Sequence, residues 1–244
     1  MGRGPSIEHR KNAADAQKAR VFTKLIREIT VAARKGGGDP AANPRLRLAI
    51  DRALDANVPK DTIERASKRA AGELGADQMQ EVRYEGYAAG GIAIMVDCMT
   101  DNPTRTVADV RHALSKHGGH LGTGGSVAFQ FTQTGELWFK TGGDSALEDR
   151  ILGVAIEAGA DDVASEEGYT EVLCQPGALP AVKAAVAAAH LPLLQADVVM
   201  RPATRVTVSA EAAQQLGKLI AALEALDDVQ AIHHNADLPE AALA

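Results

Sequence analysis

Aromatic side chains are scarce in this sequence, at 3% of residues, with four Phe, three Tyr and one Trp. A protein that binds single-stranded nucleic acid by stacking needs several exposed aromatic rings, and most of these rings lie in apolar stretches. The composition therefore disfavours stacking as the main binding mode. The sequence also lacks an apolar run long enough to span a membrane and lacks a signal-peptide pattern, which predicts a cytoplasmic protein with no membrane partner.

Cysteine is almost absent as well, and Cys98 and Cys174 both lie in apolar, strand-like segments. This pattern predicts two buried free thiols in a reducing compartment. Three histidines, His112, His117 and His120, lie close together in the sequence. No cysteine or carboxylate stands beside them at the spacing of a zinc site, so we expect no bound metal and no cofactor.

Charge is divided by position along the chain. Residues 1–71 contain 16 Lys/Arg against 8 Asp/Glu, a net charge of +8, whereas residues 72–244 contain 10 against 24, a net charge of −14. The total of −6 hides this cationic end. A basic segment on an acidic body is typical of a protein that meets a polyanion with one end. The alternative is an ordinary solvated helix surface.

Hydrophobic periodicity predicts three helices at the basic end. In the first helix, Phe22, Leu25, Ile26 and Ile29 share one arc, and Val31 is the only apolar residue among the cations of the opposite arc. We expect those cations to be exposed and dispensable for stability; they are Arg20, Lys24, Arg27, Arg34 and Lys35. Asn43-Pro44 predicts the N-cap and first-turn proline of the second helix, and the third runs from near Pro59 to Ala71.

From Glu81 onward the periodicity becomes strand-like and alternates with helical segments. The pattern predicts an α+β fold, in which an N-terminal three-helix bundle precedes two ferredoxin-like α/β domains, the second inserted into the first. The predicted domains are 1–75, a basic helical domain with an N-terminal arm, then 76–131 plus 203–244, a split α/β domain, and 132–202, an acidic insertion. Residues 127–131 are predicted to form a strand. The acidic surface of the insertion repels nucleic acid, which predicts a role in protein contact or as a spacer.

Lysine and arginine at this density predict a footprint on phosphates without reading of bases. The predicted contacts in the helical domain are Arg10, Lys11, Arg20, Lys24, Arg27, Arg34, Lys35, Arg45, Arg47, Lys60 and Arg69. A second block adds Arg105, Arg111, Lys116 and His117. The third helix is weaker evidence for phosphate binding, because its cations have acidic neighbours. Asp61 stands four residues before Arg65, and Glu64 stands four residues before Lys68, so the charges of each pair can neutralise each other.

Two further patterns allow chemical interpretations. The glycine-rich run 118–126 follows a helix and opens a strand, the reverse of a P-loop, so it predicts a tight turn, with a phosphate cradle as the alternative. Ser126, His117 and Asp101 could be combined as a catalytic triad, but no nucleophile elbow surrounds Ser126. We therefore expect no catalytic residues and no enzymatic activity.

Several long blocks of the sequence resemble the YebC family. They cover Val21–Ile29, Ala32–Pro40, Asn43–Arg47, Pro59–Ala66, Arg83–Tyr87, Thr100–Gly119 and Leu121–Ala128, with His234-Asn235 near the end. The resemblance extends over about residues 8–244. Two departures stand out: Gly2–Ile7 lacks the tryptophan usual in relatives, and His120 stands where relatives usually have asparagine.

The resemblance implies a non-enzymatic bacterial protein of three domains that regulates gene expression. Relatives are regarded as probable DNA-binding transcriptional regulators, and a mitochondrial relative activates translation of cytochrome oxidase. The alternative function is that of a ribosome-associated factor that binds ribosomal RNA and relieves stalling, for example at proline runs. DNA and ribosomal RNA are both phosphate polyanions, so charge does not decide between them. A monomer or a weak dimer is expected.

Overall fold

The structure is a computed structural model that describes residues 7–72 and 79–237. Within these residues it contains seven α-helices and antiparallel sheets, so the predicted mixture of α and β structure is confirmed. The chain divides into two compact units. One contains the residues up to Ser126 together with those from Thr207 onward, and the other is Val127–Val206.

Three helices form the basic end of the first unit: α1 (Ile7–Gly36), α2 (Pro44–Asp55) and α3 (Lys60–Gly72). Asn43 is the N-cap of α2, as predicted, because its side-chain oxygen accepts a hydrogen bond from the Leu46 amide at 3.1 Å. The helix α1 ends before Gly37, whose φ of +88° is a left-handed conformation that favours glycine. Buried apolar residues join the three helices, among them Ile29, Leu46 and Ile63.

The predicted N-terminal arm is shorter than expected. Helix α1 already begins at Ile7, so the backbone of residues 7–19 continues the first helix. The physical reason is visible in the sequence, where residues 6–35 contain no proline or glycine and alanines recur through residues 13–19. The side chains of Arg10, Lys11 and Arg69, three of the predicted nucleic-acid contacts, lie outside the described part of the structure.

The split α/β domain begins with β1 (Gln80–Ala88), β2 (Ile92–Thr100), α4 (Pro103–Lys116) and the short strand β3 (His120–Leu121). Asn102 caps α4 as predicted, with its side-chain oxygen 3.0 Å from the Arg105 amide nitrogen. The strand predicted at 127–131 is wrong. Residues Ala128–Gln130 form a 3₁₀ turn, because β3 already pairs with Gly86 and Tyr87 at the edge of β1. Phe129 is consequently 78% exposed.

The second unit contains β4 (Phe131–Lys140), α5 (Ser145–Glu157), β5 (Asp162–Glu166), β6 (Tyr169–Cys174), α6 (Leu179–Ala188) and β7 (Leu193–Pro202). Its sheet has the order β5-β6-β4-β7, and every neighbouring pair is antiparallel. This order is that of the βαββαβ ferredoxin-like motif. The inner sides of α5 and α6 bury Ile151, Val182 and Val186 against the sheet residues Leu137 and Phe139.

The chain completes the first unit with β8 (Val206–Thr207), α7 (Ala210–Glu224), β9 (Val229–His234) and β10 (Ala236–Asp237). The strand order β3-β1-β2-β9 shows that β9 pairs with β2, although more than a hundred residues separate them. Helices α4 and α7 pack against this sheet over a core that includes Ile94, Val110 and Leu219.

Both cysteines are buried and free, as predicted. Burial raises the pKa of the Cys98 thiol to about 12, and the carboxylates of Asp228 and Asp97 add to this effect. The pKa of Cys174 is raised by the same cause. The thiolate is the reactive form of cysteine, and a raised pKa disfavours it. Both cysteines are therefore unreactive core side chains.

Candidate nucleic-acid interface

Besides Lys35 and Arg105, which form ion pairs, six of the predicted contacts are exposed to solvent. They are Arg20 and Arg34 on α1, Arg47 on α2, Lys60 at the start of α3, and Arg111 and Lys116 on α4. The first four surround a helical domain whose interior is apolar. Exposed guanidinium and ammonium groups can approach phosphates.

Arg27 does not face solvent as predicted. Its Nη1 atom donates to the carbonyl oxygens of Asp227, at 2.6 Å, and Met99, at 3.3 Å, and to Asp228 Oδ1, at 3.0 Å. These partners lie at the end of β2 and between α7 and β9. Arg27 therefore joins α1 to the split α/β domain, and its loss would cost stability as well as charge.

Asp228 is the centre of this junction and is only 7% exposed. While Oδ1 pairs with Arg27, Oδ2 accepts hydrogen bonds from Arg105 at 2.8 Å, Thr106 at 2.8 Å and Thr100 at 3.2 Å. We call these five residues the Asp228 cluster. Burial alone would raise the pKa of Asp228, but the hydrogen bonds from Arg105 and Thr106 outweigh it and lower that pKa.

The Asp228 cluster brings together one cation from each of the two predicted basic blocks, Arg27 and Arg105, and uses both for internal pairing. A cavity of about 550 Å³ opens beside it. Four aspartates and two arginines line that cavity, so its formal charge is negative. A phosphate is therefore disfavoured there, and Arg105 is better described as a structural residue than as a phosphate contact.

Lys24 is also engaged with the α/β domain, since its Nζ atom lies 3.1 Å from the carbonyl oxygen of Glu224. Burial lowers the pKa of Lys24, partly offset by Glu224 and Asp227. Val31, on the same arc, is only 3% exposed. This apolar residue among the cations is the one sign in the sequence that part of the arc is covered.

Lys35 and Arg45 have a shared acidic partner, Glu81 at the start of β1. Arg45 also bonds Glu28 through Nε at 2.9 Å. Both cations are thus partly neutralised, contrary to the prediction of a free basic face. Their exposure still permits exchange of a carboxylate for a phosphate, so they are secondary candidates.

The predicted ion pairs on α3 are confirmed. Arg65 Nη2 lies 3.0 Å from Asp61 Oδ2, and Lys68 Nζ lies 3.4 Å from Glu64 Oε2. All four side chains are exposed, so the outer side of α3 carries carboxylates beside its cations. A helix with this charge pattern is poorly suited to enter the major groove and read bases.

The histidines of the second block have separate surroundings. His117 is the C-cap residue of α4 and is half-buried, while the His120 ring stacks on Tyr87 with ring centroids 5.5 Å apart. In residues 7–72 and 79–237, no group of three or more His, Cys, Asp or Glu side chains is placed to hold a metal ion. The absence of bound zinc stays a prediction.

The glycine-rich segment 118–126 is held by a buried carboxylate. Glu85 Oε1 accepts a hydrogen bond from the Gly125 amide at 2.7 Å, and the Glu85 carbonyl accepts one from Gly122 at 2.8 Å. One amide that a phosphate cradle would need is therefore already occupied. The Ser126 hydroxyl is buried, and within residues 7–72 and 79–237 it has no hydrogen-bond partner.

Two sets of side-chain contacts on the first sheet were not predicted from the sequence. Asp97 bonds Arg83 at 2.6 and 2.9 Å and His233 Nε2 at 3.2 Å. Asn235, buried after β9, accepts a hydrogen bond from the Ala93 amide through Oδ1 at 2.9 Å. The second contact gives the family pair His234-Asn235 a structural role, because it closes the end of the β2–β9 ladder.

Asp97 predicts a measurable acid sensitivity. Burial would raise its pKa, but hydrogen bonds from His233 and Arg83 lower it from 3.8 to about 2. Because the pKa is depressed in the folded state, the stabilisation is complete above about pH 4 and is lost as the pH falls through the folded value. In urea unfolding, the advantage of the wild type over Asp97→Asn should shrink by about 1 kcal/mol from pH 6 to pH 3. A pH-independent difference between the wild type and Asp97→Asn would contradict the assignment.

In the described residues, no helix is long and apolar enough to cross a membrane. The chain thus contains a basic three-helix domain that is joined through the Asp228 cluster to a split α/β domain. In the sequence, a βαββαβ unit separates the two halves of that split domain. Known proteins share this order of domains. Residues 3–73 match the TACO1/YebC protein N-terminal domain, and residues 79–236 match the TACO1/YebC second and third domain.

The relatives agree over nearly the whole chain. A probable transcriptional regulatory protein from Xanthomonas oryzae pv. oryzae is 56% identical over 97% of this chain and 98% of its own length. A protein with the same description from Cupriavidus pinatubonensis is 53% identical over 96% and 97%. The crystal structure of a conserved hypothetical protein from Aquifex aeolicus has a TM-score of 0.81, 44% identity and 93% coverage of both chains. The chain belongs to the TACO1/YebC family.

Proposed function

We propose that this protein is a non-enzymatic regulator of gene expression that binds nucleic acid through the exposed cations of its helical domain. The observation that carries the proposal is the position of Arg20, Arg34, Arg47 and Lys60, which are exposed on the basic end of a chain that is otherwise acidic. Long-range attraction of phosphates to that end, with repulsion from the rest, orients the protein on a polyanion. The description shared by the Xanthomonas and Cupriavidus relatives supports DNA as the target and transcription as the process.

The contacts support binding to a phosphate backbone rather than recognition of a base sequence. The outer side of α3 is neutralised by its own ion pairs. The exposed cations of the helical domain are distributed over three helices. Cations placed in this way can contact several phosphates along a folded nucleic-acid backbone. This observation also favours the second candidate, a ribosome-associated translation factor, because folded ribosomal RNA offers such a shape without requiring base reading.

We propose that the protein is not an enzyme because its carboxylates with shifted pKa values are engaged in structural ion pairs. Asp97 and Asp228 have lowered pKa values, but the cause in each case is a structural ion pair and not a partner poised for proton transfer. In the part of the chain that the structure describes, the Ser126 hydroxyl has no hydrogen-bond partner, so Ser126 and His117 are not hydrogen-bonded as a nucleophile and its base. The described residues therefore offer binding surfaces rather than a reaction centre.

Genome-wide recovery of DNA crosslinked to the full-length protein, alongside ribosome sedimentation from the same cells, tests the proposal. Recovery of promoter-proximal DNA that shares no base sequence is the expected result for a transcriptional regulator that binds the phosphate backbone. Co-sedimentation with ribosomes that is lost at high salt, without DNA enrichment, would transfer the function to translation. Absence of both would contradict nucleic-acid binding as the function.

A further inference from the structure

Two cations of the helical domain converge on one carboxylate of the split α/β domain. Lys35 lies in the last turn of α1, Arg45 lies in the first turn of α2, and Glu81 lies at the start of β1. Lys35 Nζ pairs with Glu81 Oε2, while Arg45 Nη2 pairs with Glu81 Oε1. Each oxygen of the carboxylate therefore has its own cation, and the two cations come from different helices.

The same two cations are suited to a phosphate group. Arginine donates to carboxylate and phosphate oxygens with the same geometry, and lysine adds a mobile point charge. Glu28 holds the Arg45 guanidinium separately, with Oε1 2.9 Å from Nε, so Arg45 keeps a partner that orients it when Glu81 leaves. The first turn of α2 contains no acidic residue, and the positive end of its helix dipole adds to the attraction for an anion.

Glu81 can leave this position without any disturbance of the core. Its side chain is 28% exposed, and those of Lys35 and Arg45 are 60% and 39% exposed, so solvent and solutes reach all three. Burial would raise the pKa of Glu81, but hydrogen bonds from Arg45 and Lys35 outweigh it and lower that pKa. Glu81 is therefore ionised at neutral pH and competes with any other anion for the two cations.

We infer that Lys35 and Arg45 form a binding site for one backbone phosphate, and that Glu81 occupies this site as an internal competitor until nucleic acid displaces it. The inference rests on the proposed function, because it names where the helical domain holds a phosphate and what limits its affinity there. A competitor of this kind weakens binding to every phosphate polymer and leaves base preference unchanged. Its displacement also breaks two contacts between the helical domain and β1.

Glu81→Gln in the full-length protein tests the inference, because it removes the competing charge and nearly keeps the side-chain shape. By fluorescence anisotropy at low salt, the variant should bind a 20-base-pair DNA duplex or an RNA hairpin about tenfold more tightly than the wild type. The slope of log K against log salt should steepen by roughly 0.7 to 1.8, because each freed cation adds a phosphate contact. The polymer with the larger gain is the source of the phosphate. The Tm should stay near the wild-type value, because exposed ion pairs contribute little to stability.

The matched control places the same charge change in a protein without the two cations. In the background Lys35→Gln/Arg45→Gln, adding Glu81→Gln should change the Kd by less than about twofold, since no cation remains to be freed. The background variant itself should bind more weakly than the wild type, because the phosphate displaces Glu81 in the wild type. An unchanged Kd for Glu81→Gln, an equal gain in both backgrounds, or wild-type affinity of the background variant would each overturn the inference.

Calorimetry with tripolyphosphate separates this inference from the proposed function, because the probe offers phosphate oxygens without a polymer. Tripolyphosphate should bind Glu81→Gln more tightly than the wild type, and should bind Lys35→Gln/Arg45→Gln most weakly. If this order held while no variant bound DNA or RNA, the proposed function would fail and the phosphate site would stand. If DNA or RNA bound all variants equally, the phosphate site would fail and the proposed function would stand.

Discussion

Replacing Asp228 with alanine is expected to lower the free energy of unfolding by about 3 kcal/mol or more. The substitution removes the carboxylate that pairs with Arg27 and accepts hydrogen bonds from the buried hydroxyls of Thr100 and Thr106. Removing one partner of a buried ion pair leaves the other charge buried and uncompensated. This penalty exceeds the stabilisation that the pair itself contributes. Urea unfolding of the two proteins at pH 7 measures the difference.

Asp227→Ala is the matched control, since Asp227 is the adjacent residue and its side chain is exposed. Only its carbonyl oxygen bonds Arg27, and the substitution keeps that group. We expect a change within about 0.5 kcal/mol. If Asp228→Ala and Asp227→Ala were equally mild, Asp228 would not join the helical domain to the split α/β domain.

Reversal of Arg20, Arg47 and Lys60 to glutamate is expected to weaken nucleic-acid binding by about 100-fold at low salt. The dependence of log K on log salt should also flatten by roughly 2 to 3, because each lost phosphate contact removes about 0.7–0.9. Stability should be unchanged or slightly improved. Arg47 and Lys60 lie in the first turns of α2 and α3, where the helix dipole favours a negative side chain.

A triple variant of equal charge change provides the control. Lys140, Arg205 and Lys218 are exposed cations outside the helical domain, and their reversal to glutamate changes the net charge by the same amount. Its binding should fall far less than that of the first triple variant. Equal losses would mean that net charge alone, and not the helical surface, governs binding.

Local features were predictable from the sequence, because neighbouring residues determine them. The N-caps Asn43 and Asn102, the ion pairs of α3 and the burial of both cysteines all follow from short-range pattern and composition. The mixture of α and β structure follows from the change of hydrophobic period at Glu81. The strand predicted at 127–131 failed because the competing pairing of His120 and Leu121 with β1 depends on tertiary structure.

The candidate site was harder to predict, since exposure depends on residues far along the chain. Arg27 and Lys24 have the periodicity of a solvated face, yet their partners are about two hundred residues away. Nothing near Arg27 in sequence indicates that Asp228 will meet it. The outcome divides the predicted contacts into exposed cations, such as Arg20 and Arg47, and structural ones, such as Arg27 and Arg105.

We propose that the helical domain, and not the inserted unit, contacts nucleic acid. Hydrogen exchange of the full-length protein, with and without a 20-base-pair DNA duplex or an RNA hairpin, measures which elements nucleic acid protects. The expected result is slower exchange in α1, α2 and the start of α3, with Val127–Val206 unchanged. Protection confined to Val127–Val206, or none in the helical domain at saturating nucleic acid, would contradict the account.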